Sequence, residues 1–131
     1  MPSELSDQVI ITQMTMQLMD EWGLDAKQII TLLGLPSNVR TRHLEKFRQG
    51  DAFPDSDVTR RRIEHVAGIA DALRTSYPRN MHMGSRWLRT PHRRFKNRTP
   101  IDTMLSSESG LLEVRSELDC AYAWDRSCLL Y

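Results

Sequence analysis

The residues best able to do chemistry in this chain are four histidines, His43, His65, His82 and His92, and two cysteines, Cys120 and Cys128. Metal binding or nucleophilic catalysis is the chemistry they could carry. None of the histidines forms a His-Glu-x-x-His pattern or pairs with a cysteine at ligand spacing. The cysteines stand eight residues apart, too few for a disulfide framework or a metal set, and are read as free reduced thiols. The six glycines are scattered singly, so no phosphate-cradling loop is present. No Ser, Cys or Lys sits in a recognisable nucleophile context. Glu113 and Glu117 share a helical face and read as ordinary solvated carboxylates. These residues predict no catalytic site, no metal and no cofactor. They leave a module that acts by binding.

Charge suggests what such a module meets. The formal net charge is only +1, but it is unevenly spread. From Arg40 to Arg98 there are fifteen Lys or Arg against six acids, and no acid lies between Asp71 and Asp102. The end of the chain reverses this, with Asp102, Glu108, Glu113, Glu117, Asp119 and Asp125 against Arg115 and Arg126. A basic middle suits an anionic partner such as a phosphate backbone. The acidic end suits a basic protein cleft. The plainer alternative is a solvated surface with uneven charge.

The elements that position these residues read as helices throughout, an all-α fold. The chain has 131 residues, 40% of them hydrophobic, enough for one domain or two very small ones. Ile11, Met14, Leu18 and Trp22 recur at helical spacing, with Gly23 as a stop. Asp25 caps a second helix with Gln28 reaching back, and Ala26, Ile29, Ile30 and Leu33 share its face. Gly34 and Pro36 end it. A third helix is expected over Val39 to Gln49, with Leu44 and Phe47 inward. Asp55, Ser56 or Asp57 caps a long fourth, whose inward set is Ile63, Val66, Ala67, Ala70, Leu73 and Tyr77. A boundary falls near Arg79. A short helix then carries Trp87 and Leu88 up to Pro91. Thr99-Pro100 opens another, with Ile101, Met104 and Leu105 inward. A last helix is expected from about Ser107 to Trp124, striped by Leu111, Val114, Leu118, Ala121 and Tyr122. No run of alternating residues argues for a strand. Seven methionines suit gap-filling in a core or an adaptable contact face. The first ten residues lack a secretory pattern, and no apolar run approaches the roughly 20 residues needed to span a bilayer.

The second and third helices resemble a helix-turn-helix. In that geometry the second helix enters the major groove, so Asn38, Arg40, Thr41, Arg42, Lys46 and Arg48 are candidate DNA contacts. Arg60, Arg61 and Arg62, opening the next helix, could grip a neighbouring phosphate. The alternative is a basic amphipathic helix pair with no groove contact.

The run from Trp87-Leu88 through Pro91, Phe95 and Arg98-Thr99-Pro100 to Met104-Leu105, then Gly110, Val114, Leu118 and Tyr122, resembles the toxin-binding domain shared by Xre, MbcA and ParS antitoxins. The segment before it is similar to the Xre-like helical domain that precedes it in such proteins. Two departures stand out. Where the family has a glycine or two before its Arg-Thr-Pro, this chain has Lys96 and Asn97, and asparagine tolerates left-handed geometry better than most residues. The stretch from Gly34 to Leu44 is about four residues longer than in a tight helix-turn-helix.

The resemblance implies an N-terminal Xre-like helix-turn-helix-type bundle over residues 1–79, serving dimerisation and DNA binding, and a small helical toxin-binding domain over 80–131. It implies a cytoplasmic type II antitoxin. The partner would be a RES-domain toxin that consumes NAD, held with its active-site entrance covered. Promoter DNA would be bound by the complex, with the antitoxin as a homodimer. The toxin-binding candidates are Arg98, Asp119, Tyr122, Trp124, Asp125, Arg126 and Tyr131. Trp124 and Tyr131 are candidate anchors in a cleft. The alternatives are that Trp124 packs in the core, the last residues lack order and Arg98 pairs locally. Trp87 is expected in the core. The rival function is a stand-alone Xre-like DNA-binding transcriptional regulator without a toxin.

Overall fold

The computed structural model describes the backbone of residues 2–127 and the side chains of residues 7–80 and 82–119. Among the described residues the chain is all-helical, as the sequence pattern predicts. Its elements are α1 (Pro2–Glu21), α2 (Ala26–Leu33), α3 (His43–Gln49), α4 (Asp57–Ser76), α5 (Met81–Leu88), a 3-10 turn (Arg93–Phe95), α6 (Pro100–Ser106) and α7 (Glu108–Ser127). Two compact units, Met1–Ile63 and Glu64–Tyr131, divide the chain within α4. Composition places the change of character later, near Arg79, where the polar stretch begins.

In the first unit, α2 forms where the caps require it. The Asp25 carboxylate accepts from the Gln28 N–H at 2.8 Å, and the Gln28 side chain accepts from the Asp25 N–H at 3.0 Å. Gly34 closes the helix in left-handed geometry, φ 60°. Thr59 Oγ1 donates to the Gly34 carbonyl at 3.1 Å, and Arg62 donates to the carbonyl oxygens of Thr31 and Leu32 at 3.1 and 3.3 Å. The open C-terminal end of α2 is thereby satisfied by the start of α4. Ile29, Leu32 and Leu33 are fully buried.

Three expectations need correction here. α1 does not bury Ile11 and Met14, which are 48% and 64% exposed. Its inward face is Thr12, Thr15, Met16 and Met19, continuing to Trp22. The reason is polar: Thr12 Oγ1 accepts from the buried Phe53 N–H at 2.9 Å and donates to the Gln8 carbonyl at 2.8 Å. A threonine with both roles filled is buried at little cost. Apolar residues occur almost all round α1, so their spacing alone could not select the face. α3 starts at His43, not Val39. Residues 36–42 run without helix, with Val39 N–H bonding Pro36 O, His43 N–H bonding Arg40 O and Leu44 N–H bonding Thr41 O, while His43 Nδ1 accepts from the Arg40 N–H at 2.8 Å. That side-chain bond starts the helix late. Finally, α4 buries Val66, Ile69, Ala70 and Leu73, whereas Ala67 is exposed and Ile63 half-buried.

In the second unit, Ile101, Met104, Leu111, Val114 and Leu118 are buried along α6 and α7, with Leu88 and Phe95. Thr99 caps α6, its Oγ1 accepting from the Asp102 N–H at 3.0 Å, and Pro100 takes the first helical position. Leu105, expected inward, is half-buried. Ser107 Oγ accepts from the Gly110 N–H at 3.0 Å and opens α7, which extends to Ser127.

Candidate functional site

The site-bearing region of the second unit is built on one aromatic corner. Asn80 caps α5, its side chain accepting from the His82 N–H at 3.0 Å, and α5 delivers Trp87 and Leu88 to the end of the helix. Leu88 is fully buried, while Trp87, expected in the core, is half-buried. Pro91 then turns the chain, and His92 folds back so that its Nε2 lies 3.1 Å from the Trp87 carbonyl oxygen. The His92 and Trp87 rings sit 5.0 Å apart, and Phe95 meets Trp87 edge-on at 6.2 Å. Phe95 is 3% exposed.

From this corner a short loop projects. His92 and Arg98 form an isolated antiparallel bridge, with the His92 N–H bonding the Arg98 carbonyl at 3.2 Å. Between them Lys96 and Asn97 both adopt left-handed backbone, φ 58° and 64°. The glycine-type geometry is therefore kept without a glycine. Arg93, Arg94, Lys96 and Arg98 are all exposed on this loop. Arg94 forms an ion pair with Glu117 of α7. Glu117 is thus half-buried and partnered, not the freely solvated carboxylate its helical spacing suggests. A cleft of about 430 Å³ lies here, lined by Tyr77, Trp87, His92, Arg94, Phe95 and Glu117 among others.

α7 is fixed from two sides. Gly110 allows α7 to approach α6, where a β-carbon would overlap the Thr103 carbonyl oxygen. Arg115 reaches across Gly68 of α4, its guanidinium 3.0 Å from His65 Nδ1 and 3.5 Å from the Glu64 carbonyl oxygen. Its Nε also lies 3.8 Å from Asp119.

The toxin-side candidates divide accordingly. Arg98 is exposed and its guanidinium bonds the Asp102 carbonyl at 3.3 Å, a local contact. Asp119 is exposed on α7. Tyr122, Trp124, Asp125 and Arg126 follow on the same helix, with side chains outside the described residues, and Tyr131 lies outside them altogether.

The DNA-side candidates are in the first unit. Asn38, Arg40, Thr41 and Arg42 are exposed in the turns before α3, and Lys46 is exposed on the helix. Two others are engaged by acids. Arg48 makes two bonds to Asp20, at 2.7 and 3.0 Å, and a third to Glu45 at 3.3 Å. The bond to Asp20 raises its pKa above the ordinary arginine value. Arg60 pairs with Asp55 at 2.6 Å and Asp57 at 3.4 Å. Arg61 is exposed. Sequence reasoning missed the Arg48–Asp20 pair because the two stand twenty-eight residues apart. It also missed His92 as the residue that locks Trp87.

Among the described residues no group of three His, Cys, Asp or Glu is placed to hold a metal ion, and no helix is long and apolar enough to cross a membrane. Residues 80–121 match the family model of the antitoxin Xre/MbcA/ParS C-terminal toxin-binding domain. The match spans α5, the loop, α6 and most of α7, and it supports an antitoxin role with a toxin as partner. No curated protein matches the chain.

Proposed function

We propose, from the match of residues 80–121 to the antitoxin Xre/MbcA/ParS C-terminal toxin-binding domain, that the chain is a cytoplasmic type II antitoxin that neutralises a RES-domain, NAD-consuming toxin by covering its active site. The match over α5 to α7 is the observation that carries this reading. Two features support it. α7 is held against α6 and α4 at Gly110 and Arg115, so its later turns project from a fixed base. Those turns carry Asp119, Tyr122, Trp124, Asp125 and Arg126, an acidic and aromatic set suited to a cationic cleft that holds NAD phosphates. Arg98 and Tyr131 complete the proposed toxin-facing residues. The function divides along the chain, with toxin binding in 80–131 and DNA binding and dimerisation in 1–79.

The experiment is co-expression with the product of the adjacent gene. The neighbour alone should stop growth and deplete NAD, and this chain should restore both and co-purify with it. A harmless neighbour that fails to co-purify sinks the proposal. A chain lacking 119–131 should stay folded and lose protection. Full protection by that truncated chain would rule out occlusion by α7 and the tail.

Promoter autoregulation by the complex is the second part of the proposal. The exposed Asn38, Arg40, Thr41, Arg42, Lys46 and Arg61 support it. These residues also keep the stand-alone regulator alive as a second reading. Operator binding by the isolated chain, lost on replacing Arg40, Arg42 and Arg48 together, would favour that reading.

A further inference from the structure

Of the loop from His92 to Arg98, the proposed toxin contact takes only Arg98 and leaves Arg93, Arg94 and Lys96 unused. Five of the loop's seven backbone amides are satisfied within it. The N–H groups of Phe95 and Asn97 both bond the His92 carbonyl, Lys96 bonds Arg93, Arg98 bonds Phe95 and His92 bonds Arg98, all between 3.0 and 3.2 Å. None of these five amides is left over for an anion, and the charge the loop presents lies on its side chains. Those side chains are Arg93, Arg94, Lys96 and Arg98, four exposed cations within six residues. Phe95 and the Trp87–His92 stack hold the loop from beneath.

The backbone of Lys96 is the telling feature. At φ 58° its β-carbon is crowded, and glycine would adopt the same geometry without strain. The chain keeps a cation there at the expense of backbone comfort, and strain of this kind concentrates at functional positions. The surrounding acids do not neutralise the loop. No carboxylate occurs in the sequence between Asp71 and Asp102, and among the described residues Glu117 engages only Arg94.

The character of the surface distinguishes its partner. The exposed large apolar residues among those described are Ile10, Ile11, Met14, Val58, Met83 and Leu112, and none is on the loop. Protein interfaces are built around an apolar core. A rigid array of Arg and Lys without an apolar centre instead suits phosphate oxygens, which position a protein on a duplex without reading its sequence. We propose that the loop 92–98 of the toxin-binding domain is a phosphate-contacting surface for duplex nucleic acid, separate from the Arg40–Lys46 region of the first unit.

The test uses the full chain and a fluorescein-labelled 20-base-pair duplex of mixed sequence, titrated by anisotropy at several salt concentrations between 50 and 200 mM. The variant is Arg93→Gln with Lys96→Gly. It leaves the Arg94–Glu117 pair and every backbone bond of the loop in place, and the glycine relieves the left-handed strain. A melting temperature at or above that of the parent will show that the fold is kept. The dependence of log affinity on log salt should become shallower by about two, one for each lost phosphate contact, with affinity at 50 mM salt down roughly tenfold. A parallel variant, Arg40→Gln with Arg42→Gln, reports on the first unit. If only that variant flattens the slope, the loop proposal is wrong and the first-unit reading stands. No binding of the duplex by the parent chain at 50 mM salt also overturns it. So does a loop variant that binds DNA normally but no longer co-purifies with the neighbouring gene product, because the loop would then meet an acidic protein face.

Discussion

Gly110 of α7 lies so close to the carbonyl oxygen of Thr103 in α6 that no β-carbon fits between them. The two helices are joined by Ser107 alone, and this close approach lets Leu111 and Val114 bury against Ile101 and Met104. The contact is with backbone, which cannot rotate away as a side chain would.

Gly110→Ala should therefore destabilise the second unit by about 2–3 kcal/mol, within the range of overpacking substitutions. For a chain of this length that corresponds to a fall of roughly 8–12 °C in melting temperature. Calorimetry or circular dichroism checks it. An unchanged melting temperature would mean that α6 and α7 do not approach this closely.

The left-handed pair in the loop makes the opposite prediction. Lys96→Gly should stabilise the fold by about 1 kcal/mol, because an L-residue in that geometry carries a penalty of roughly 1–2 kcal/mol and glycine returns part of it as unfolded-state entropy. Asn97→Gly should gain less, since asparagine tolerates the conformation. Denaturant midpoints for the two variants would rank them. A destabilising Lys96→Gly would show that the lysine makes a compensating contact.

Thr12 provides a test that separates shape from hydrogen bonding. Thr12→Val has nearly the same volume but leaves the buried Phe53 N–H without its acceptor, at an expected cost of about 1–3 kcal/mol. Thr12→Ser keeps the acceptor and should cost less than half as much. Equal losses for both would argue that packing alone fixes this position.

The apolar outer face of α1 predicts self-association. Ile10, Ile11 and Met14 are about half exposed or more, and no charged residue occurs between Asp7 and Asp20. Two copies of such a face can meet without bringing like charges together. Ile10→Glu with Ile11→Glu should convert a dimer to a monomer in sedimentation equilibrium, with helicity unchanged, because both side chains already face solvent. If the parent chain is monomeric, or the variant still dimerises, the copies do not meet through α1.

What could be read from the sequence was set by local rules. The Asp25–Gln28 capping box, the Gly34 stop and the Thr99-Pro100 start are decided by residues within four positions, and each forms as expected. The inward face of α1 was not legible, because its selection depends on the Phe53 amide forty-one residues away. The late start of α3 depends on a histidine ring accepting from a backbone amide, a choice that basic, helix-compatible residues around it conceal. At the site, the Trp-Leu, Pro and Arg-Thr-Pro spacings carried the resemblance to the toxin-binding domain whose family model residues 80–121 match. The His92–Trp87 lock and the Arg94–Glu117 pair were invisible, since neither follows from spacing on one element.

The seating of Trp87 has an optical consequence. Its indole is half-buried, stacked on His92 and edge-on to Phe95, at the base of the loop that carries the cations. Trp22, by contrast, is 4% exposed in the first unit. Indole emission shifts with the polarity around the ring, so whatever settles on the loop and excludes water should move the Trp87 spectrum while leaving that of Trp22 in place. A chain with Trp22 and Trp124 replaced by phenylalanine would report that event from within, without an attached label.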